Sequence, residues 1–312
     1  MPLRVVVAGA TGVVGRKLLP LLREREHHVT ALVRKTDRLE DVPADEVVVA
    51  DVLDLEGLSD RLRESGPDVV IDQTTGFGAA DRDEAMRRTA KLRASGSKNL
   101  LDAAVQAGAR RFIAPGMTAA YRPHGHDVLD EEAPLWTEAP GCWGEVVRAL
   151  ASMEEEVLTR AGIEGFVLRY GSLYGPDTEY APGGDIHARV CGSELPLVVD
   201  GMGLTSFTHV DDAAGVVLEF LEGGDPGVYN VVDNEPAECS EWLPAYARMA
   251  GGPAPVSLTA DQAKAQLDWL TVHQLTEQRG ATNFRIRETL GWRPTWPSWR
   301  EGFANLFGLW PG

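Results

Sequence analysis

The amino-acid sequence predicts an α/β fold: a doubly wound parallel sheet with helices on both faces and a smaller C-terminal substrate-binding lobe. Along the first half of the 312-residue chain, short apolar runs alternate with longer amphipathic stretches, which is the pattern of βαβ units. A glycine-rich turn follows the first apolar run, and after Gly175-Pro176 the alternation stops while glycine and proline become denser. These three observations define a sheet followed by a more irregular region.

The elements follow one another in the order that a parallel sheet requires. A strand over residues 3–8 leads into a helix over 13–25, and a late strand over 227–232 returns to the sheet. Between them the pattern predicts strands at 28–33, 47–50, 68–72, 110–115 and 165–170, with helices at 84–107 and 145–161.

The charge balance restricts the partners of the protein. The sequence has 30 Lys and Arg against 47 Asp and Glu, a formal net charge of -17, which disfavours nucleic acids and anionic membranes and favours small-molecule ligands. Cys142, Cys191 and Cys239 lack the spacing of a disulfide framework or a zinc site. There is no apolar run of 18 residues, and the chain enters its first strand directly, so we expect a cytoplasmic protein without a membrane partner.

The turn G-A-T-G-V-V-G after the first strand carries the strongest functional signal. Glycines at this spacing allow a tight turn, bring backbone N–H groups close to a pyrophosphate and let the helix pack on the sheet. We therefore expect residues 1–175 to form a Rossmann-type dinucleotide-binding domain, and residues 176–312 to form mainly a substrate lobe from which segments around 205–235 return to the main body. The residues expected to contact the cofactor at the turn are Gly9, Thr11, Gly12, Val13, Val14 and Gly15.

The end of the second strand indicates which nicotinamide cofactor is bound. Arg34 and Lys35, with Arg38 close by, stand where an acidic residue would accept the ribose 2'-hydroxyl of NAD. Cations there favour the 2'-phosphate of NADP(H). A solvated basic turn is the alternative, and Asp37 keeps it open.

Further segments carry a resemblance to a known family. They are Asp51-Val52, G-S-K-N-L-L-D-A-A-V-Q-A-G at 96–108, L-R-Y-G-S-L-Y-G-P at 168–176, F-T-H-V-D-D-A-A at 207–214 and L-G-W-R-P at 290–294. With the glycine turn, they resemble the extended short-chain dehydrogenase/reductase family, also called the NAD-dependent epimerase/dehydratase family. The resemblance implies cofactor contacts from Asp51, Val52, Thr74, Thr75 and Tyr170, and a homodimer formed through helices at 96–107 and 145–160.

The sequence departs from that family at its catalytic positions. The family uses a Ser or Thr after the fifth strand and a Tyr-x-x-x-Lys on the next helix. Alignment without a gap puts Trp143 and Val147 at the tyrosine and lysine positions, and Met117 at the hydroxyl position with Thr118 one residue beyond. An indole N–H donates a hydrogen bond but has no accessible acidity, so carbonyl reduction by the family mechanism is disfavoured.

An aromatic side chain at position 143 offers a flat wall for a planar ligand, although simple core packing is the alternative. We expect Trp143, Val147, Met117 and Tyr174 to line the substrate site. The segment 203–210 lacks the arginine with which relatives hold a sugar nucleotide, which favours a neutral or apolar substrate.

Three functions remain open from the sequence. The first is an NADP(H)-dependent oxidoreductase with a degenerate active site, which reduces an activated C=C, imine or carbonyl in natural-product tailoring. Its proton would come from Tyr121, Thr118 or His124, from His126 or Tyr174, or from water. The second is an isomerase, lyase or cyclase that reuses the cleft, and the third is a silent NADP(H) sensor. The H-G-H-D run at 124–127 fits an exposed loop better than a metal site, so we expect no metal.

Overall fold

The computed structural model describes residues 1–35, 43–76, 81–125 and 128–309, and the chain forms two compact units. The sheet unit comprises Met1–Gly116, Leu135–Arg169 and Ala214–Tyr229. The aromatic unit, named for its core, comprises Met117–Pro134, Tyr170–Ala213 and the chain from Asn230 onward. None of the helices within the described ranges is long and apolar enough to cross a membrane.

The strands are, in chain order, β1 (Arg4–Ala8), β2 (His28–Val33), β3 (Glu46–Val49), β4 (Val69–Asp72), β5 (Arg111–Met117), β6 (Val128–Leu129), β7 (Glu164–Tyr170), β8 (Ser172–Tyr174), β9 (Leu197–Val198), β10 (Leu204–Thr205), β11 (Phe207–His209), β12 (Gly227–Val231), β13 (Ala237–Glu238), β14 (Ser257–Leu258) and β15 (Gly280–Ala281).

The α-helices are α1 (Val13–Glu24), α2 (Leu55–Ser65), α3 (Arg82–Lys91), α4 (Ser97–Gln106), α5 (Gly141–Thr159), α6 (Asp185–Cys191), α7 (Val210–Glu222), α8 (Cys239–Met249), α9 (Ala260–Gln266), α10 (Trp269–Thr276), α11 (Phe284–Leu290) and α12 (Trp299–Leu306). A π-helical turn over Leu92–Gly96 joins α3 to α4 without a break, and a 3-10 turn over Thr118–Ala120 follows β5.

The seven-stranded sheet has the order β12-β7-β5-β4-β1-β2-β3. The pairs β1–β2, β2–β3, β1–β4 and β4–β5 are parallel. The chain runs outward from β1 to β3 and then crosses back to β4 on the other side of β1, so the strand order reverses between β1 and β4. The predicted doubly wound fold is thereby confirmed.

Local sequence explains why the elements begin and end where they do. The residues Val5–Ala8 are buried on both faces, as an inner parallel strand requires. Helix α2 is not among the elements that the sequence pattern predicts. It begins after Asp54, whose carboxylate accepts from the Gly57 N–H, and it ends at Gly66 with φ 54°. The predicted helix over 84–107 corresponds to α3 and α4, which the π turn connects into one continuous helical segment.

The aromatic unit is organised around a cluster of buried aromatic rings rather than a large sheet. Phe207 contacts Tyr174, Trp242 and Phe303 at ring-centroid distances of 5.4–5.9 Å in edge-on geometry, an arrangement that aromatic quadrupoles favour. Trp299 is fully buried in the same cluster. The C-terminal indole at position 299 therefore packs in the core.

Candidate active site

The reversal of strand order creates a crevice at the carboxyl ends of β1 and β4, where parallel sheets bind ligands. Gly9 follows β1 with φ 79°, a conformation that side chains disfavour. A Cβ atom on Gly9 would lie 2.5 Å from the carbonyl carbon of Gln73, the residue after β4. Only glycine at position 9 therefore lets the two loops that border the crevice meet.

The rest of the glycine turn prepares the start of α1. The Gly12 N–H donates to the Gly9 carbonyl at 2.9 Å, and a Cβ atom on Gly15 would lie 2.3 Å from that same carbonyl oxygen. Helix α1 begins at Val13 with no side-chain cap and no acidic residue in its first turn. Its first N–H groups and its positive dipole end are therefore available to a phosphate anion, which is what the pyrophosphate of a dinucleotide requires.

The side chains around the turn differ in burial. Val14 and Gly15 are buried, whereas Thr11 and Val13 are half-buried at the mouth of the turn. Thr11 and Val13 are therefore accessible enough to make the expected contacts with a ligand at the turn.

The β1–β3 half of the sheet would receive the adenosine. Arg34 and Lys35 are exposed directly after β2 and form no ion pair within the described part of the chain. Arg38 and Asp37 lie outside the described residues. Asp51 is exposed, with its carboxylate accepting from the Leu53 N–H at 2.9 Å.

Val52 is anchored from the central helix. Its carbonyl accepts from the Asn99 side-chain amide at 3.0 Å, and its side chain would lie 2.9 Å from a Cβ atom on Gly96. The Asp51-Val52 pair therefore has a fixed position against α4.

The β4 half of the crevice contains a polar network that the sequence did not reveal. Asp72 is fully buried and accepts from the Thr74 N–H at 2.8 Å, from the Thr74 hydroxyl at 2.7 Å and from the Ser97 hydroxyl. Arg93, 3% exposed, donates to the Thr74 carbonyl at 2.7 Å. Thr75, in contrast, is exposed, so the two threonines expected at the nicotinamide ribose have different surroundings.

Trp143 and Val147 lie one turn apart in α5 of the sheet unit. Val147 is fully buried and Trp143 is 6% exposed. The indole N–H of Trp143 is buried and meets no acceptor among the residues that the structure describes. At Gly144 a Cβ atom would lie 1.8 Å from the Ala139 carbonyl, so the start of α5 packs tightly on the preceding turn.

The candidates after β5 belong to the aromatic unit. Met117 ends β5 and is half-buried. Thr118 begins the 3-10 turn, is 4% exposed, and donates a long 3.4 Å hydrogen bond to the Tyr170 carbonyl. Tyr170 is itself buried, with its hydroxyl 3.4 Å from the Ala213 carbonyl.

Tyr121 and His124, two further candidates, are close in sequence but differ in burial. Tyr121 is 2% exposed and its hydroxyl donates to the side-chain carbonyl of Asn230 at 2.8 Å. His124 is exposed, with its backbone N–H on the Arg122 carbonyl. His126 lies outside the described residues.

Tyr174 lies in the aromatic core rather than in a loop near the strand ends. It is the last residue of β8, is fully buried, and its ring contacts Phe207, His209 and Phe303. Burial raises the pKa of the Tyr174 phenol far above its ordinary value, and Asp233 and Asp212 raise that pKa further. The structure thus places Tyr174 in the aromatic core, where the raised pKa disfavours release of the phenol proton.

No group of three or more His, Cys, Asp or Glu side chains in the described ranges is arranged to hold a metal ion.

The sequence model of the NAD dependent epimerase/dehydratase family matches residues 5–231. The chain is 47% identical over 306 residues, 97% of its length and 100% of the relative's, to a 3-diazoavenalumate denitrifying reductase of Streptomyces sp. It shares its fold with a Thermus thermophilus UDP-glucose 4-epimerase in complex with NAD, at a TM-score of 0.75 and 22% identity, covering 99% of both chains. A human epimerase family protein with NADPH is similar at a TM-score of 0.73 and 19% identity, covering 97% of this chain and 99% of the other.

Proposed function

This chain belongs to the NAD-dependent epimerase/dehydratase family, and we propose that it is a reductase that replaces the diazo group of a small molecule by hydrogen. It is an NAD(P)-dependent oxidoreductase of the short-chain dehydrogenase/reductase type. The diazo substrate class is suggested by the relative at 47% identity, whose name specifies a diazo compound and the removal of its nitrogen.

The observation that carries this proposal is the apolar pair Trp143 and Val147 at the positions of the family's acid and its cation. When bound, the reduced nicotinamide supplies hydride, so that R–N2⁺ becomes R–H with release of N2, and the balance of this reaction requires no proton. A site for such a reaction needs no tyrosine acid. The substitution that argues against carbonyl reduction is therefore compatible with diazo reduction.

The charge of the substrate gives the same pair a second role. A diazonium group is a cation, and a buried ammonium at position 147 would repel it at short range. Val147 removes that repulsion, and an indole at position 143 offers the aromatic face that attracts cations most strongly. The proposed substrate, a planar aromatic compound that carries a cationic group, therefore departs from the neutral or apolar substrate expected from the sequence.

The remaining residues are assigned to binding. We propose that the glycine turn and the first turn of α1 hold the pyrophosphate, and that Asp51 and Val52 border the adenine. Arg34 and Lys35 would meet a 2'-phosphate, which makes NADP(H) the preferred cofactor. Met117 would line the substrate side, and Thr118 and Tyr121 are assigned to positioning because both hydroxyls are buried and bonded.

We also propose a homodimer through α4 and α5. These helices carry a charged network in which Arg160 pairs with Glu156 at 2.7 Å and Lys98 pairs with Asp102 at 3.1 Å. Sedimentation of the purified protein should give twice the monomer mass, and a monomer at micromolar concentration would contradict this assignment.

The activity is tested by incubating the protein with an arenediazonium salt and NADPH deuterated at C4 of the nicotinamide. We expect consumption of NADPH, an equal amount of N2, and deuterium on the carbon that carried the diazo group. The Gly9→Ala variant, which should bind NADPH more weakly, controls for reduction that does not require bound cofactor. Product without NADPH consumption would favour a non-redox enzyme, and NADPH binding without turnover would favour a sensor; either result would refute the proposal.

A further inference from the structure

Three polar side chains on one helix hold the segment that follows β4. The Thr89 hydroxyl accepts from the Gly76 N–H at 3.1 Å, Arg93 donates to the Thr74 carbonyl at 2.7 Å, and Ser97 donates to the Asp72 carboxylate. We call Thr89, Arg93 and Ser97 the polar ladder. Each rung is at most 3% exposed.

The spacing of the ladder has a geometric cause. The three residues of the polar ladder, its rungs, are four residues apart along the helix. Their partners, at positions 76, 74 and 72, are two residues apart along the segment that they hold. Four helical residues rise about 6 Å, and two extended residues advance about 6.6 Å, so the two periods match within about 0.6 Å per rung.

The π turn keeps the rungs on one face. In an α-helix a step of four residues turns about 400°, so successive rungs would drift by about 40°. The wider turn over Leu92–Gly96 rotates less per residue, which offsets the drift between Arg93 and Ser97. π turns of this kind are frequent at functional sites.

The held segment forms one wall of the cofactor crevice. The Gln73 N–H donates to the Ala8 carbonyl at 2.8 Å, and the Gln73 carbonyl lies where a Cβ atom on Gly9 would fall. Residues 72, 74 and 76 are turned to the helix, and in an extended segment the residues between them point the other way. Of the two residues between them, Gln73 is buried and Thr75 is exposed.

We propose that the polar ladder, through Arg93, positions the β4 loop for the nicotinamide half of the cofactor. Arg93 is a positioning residue: its guanidinium is buried behind the loop, and it acts by fixing the backbone of Thr74 and the direction of Thr75. The inference rests on dinucleotide binding and is independent of the diazo substrate, so the two proposals can fail separately.

The test compares Arg93→Met with Arg111→Met. Arg111 is a matched control because it also donates to backbone carbonyls, those of Phe220 at 2.9 Å and Gly223 at 2.6 Å, but at the amino end of the same sheet. For each variant, calorimetry gives the Kd of NADPH, of NADH and of adenosine 5'-diphosphate, which occupies only the β1–β3 half. Thermal unfolding gives the stability of each variant.

For Arg93→Met we expect NADPH and NADH to bind about tenfold or more weakly, the loss expected when a hydrogen bond from a charged group disappears. Adenosine 5'-diphosphate should bind within about twofold of the unchanged protein. Arg93→Lys should recover part of the dinucleotide affinity because it restores one charged donor. Arg111→Met should lower the unfolding temperature and leave all three Kd values unchanged.

Two results would overturn the proposal. One is an Arg93→Met protein that binds NADPH as tightly as the unchanged protein; the other is an equal loss for NADPH and adenosine 5'-diphosphate. If Arg93→Met does not fold, Ser97→Ala and Thr89→Val each remove one rung, and the same selective loss for the dinucleotides is expected. The loss should be about threefold for Thr89→Val, which removes a neutral hydrogen bond, and about tenfold for Ser97→Ala, whose partner is the Asp72 carboxylate. An unselective loss or no loss in both variants would also refute the inference.

Discussion

The glycine turn before α1 and the first turns of α5 belong to the same sheet unit but differ in what they provide. At the glycine turn, each glycine allows a close approach of backbone, and N–H groups remain available for an anion. In the first two turns of α5, the buried side chains are the indole of Trp143 and the two valines Val146 and Val147. Backbone groups thus provide the polar donors at the glycine turn, whereas α5 provides buried apolar side chains.

The largest expected effect comes from breaking the glycine turn. Gly9→Ala should weaken binding of NADPH by about 100-fold, since φ 79° and a Cβ atom 2.5 Å from Gln73 impose strain of about 1–3 kcal/mol on the crevice. Gly108→Ala is the control, because Gly108 has φ 82° with no atom within 4 Å of its Cβ position. Equal affinity in both variants would show that the close contact at Gly9 is unimportant.

The next largest effect tests the apolar side chains at the start of α5. Val147→Lys should lower kcat/KM for a diazonium substrate by about 30-fold, because like charges about 8 Å apart repel by about 2 kcal/mol at an effective dielectric of about 20. Val147→Met has a side chain of similar length without charge and serves as the control. The two variants are compared in steady-state assays below their unfolding temperatures, and equal rates would remove the charge argument.

A smaller effect sharpens the choice of cofactor. The double variant Arg34→Ala with Lys35→Ala should weaken NADPH about tenfold and leave NADH within about twofold, since a charged hydrogen bond to phosphate contributes about 1.5–3 kcal/mol. Equilibrium fluorescence titration measures both affinities. Arg61→Ala, at an exposed position of α2 where Arg61 pairs with Glu64, should change neither Kd, and a parallel loss for NADH would argue against a 2'-phosphate site.

The smallest effect concerns pH and falls in the aromatic unit. Burial raises the pKa of Asp233 well above 3.8, and the negative charges of Glu235 and Asp212 also act to raise it. The folded protein then binds the proton more tightly than the unfolded chain, so this contribution to stability is present below pH 3.8 and is lost as pH rises through the folded pKa.

Asp233→Asn should therefore raise the unfolding temperature by a few degrees, about 2–4 °C, at pH 7 and have little effect near pH 4. Differential scanning calorimetry across that range measures the change. Asp225→Asn, in the sheet unit, is the control. A shift for Asp233→Asn that is independent of pH would show that the carboxylate does not titrate in this way.

The fold and the glycine turn could be predicted because their signals are local. Gly9, Gly12 and Gly15 act within one turn of chain, and the apolar runs fix the strands within about two residues of their observed bounds. The family assignment followed from motifs of the same local kind, and the match over 5–231 confirms it.

The ladder could not be predicted, because its contacts join distant parts of the chain. Arg93 bonds a residue 19 positions away and Ser97 a residue 25 positions away. From the sequence alone, polar residues at the spacing of Thr89, Arg93 and Ser97 look like the solvent-exposed face of a helix. The burial of Tyr174 was hidden for the same reason, since its neighbours Phe207 and Phe303 lie far along the chain.

The matching periods of helix and loop set a condition for engineering this crevice. Insertion or deletion of a single residue between Asp72 and Gly76, or between Thr89 and Ser97, would leave every later rung facing the wrong partner. If this loop is replaced by the loop of a relative, the helix that forms hydrogen bonds with it must therefore be replaced at the same time.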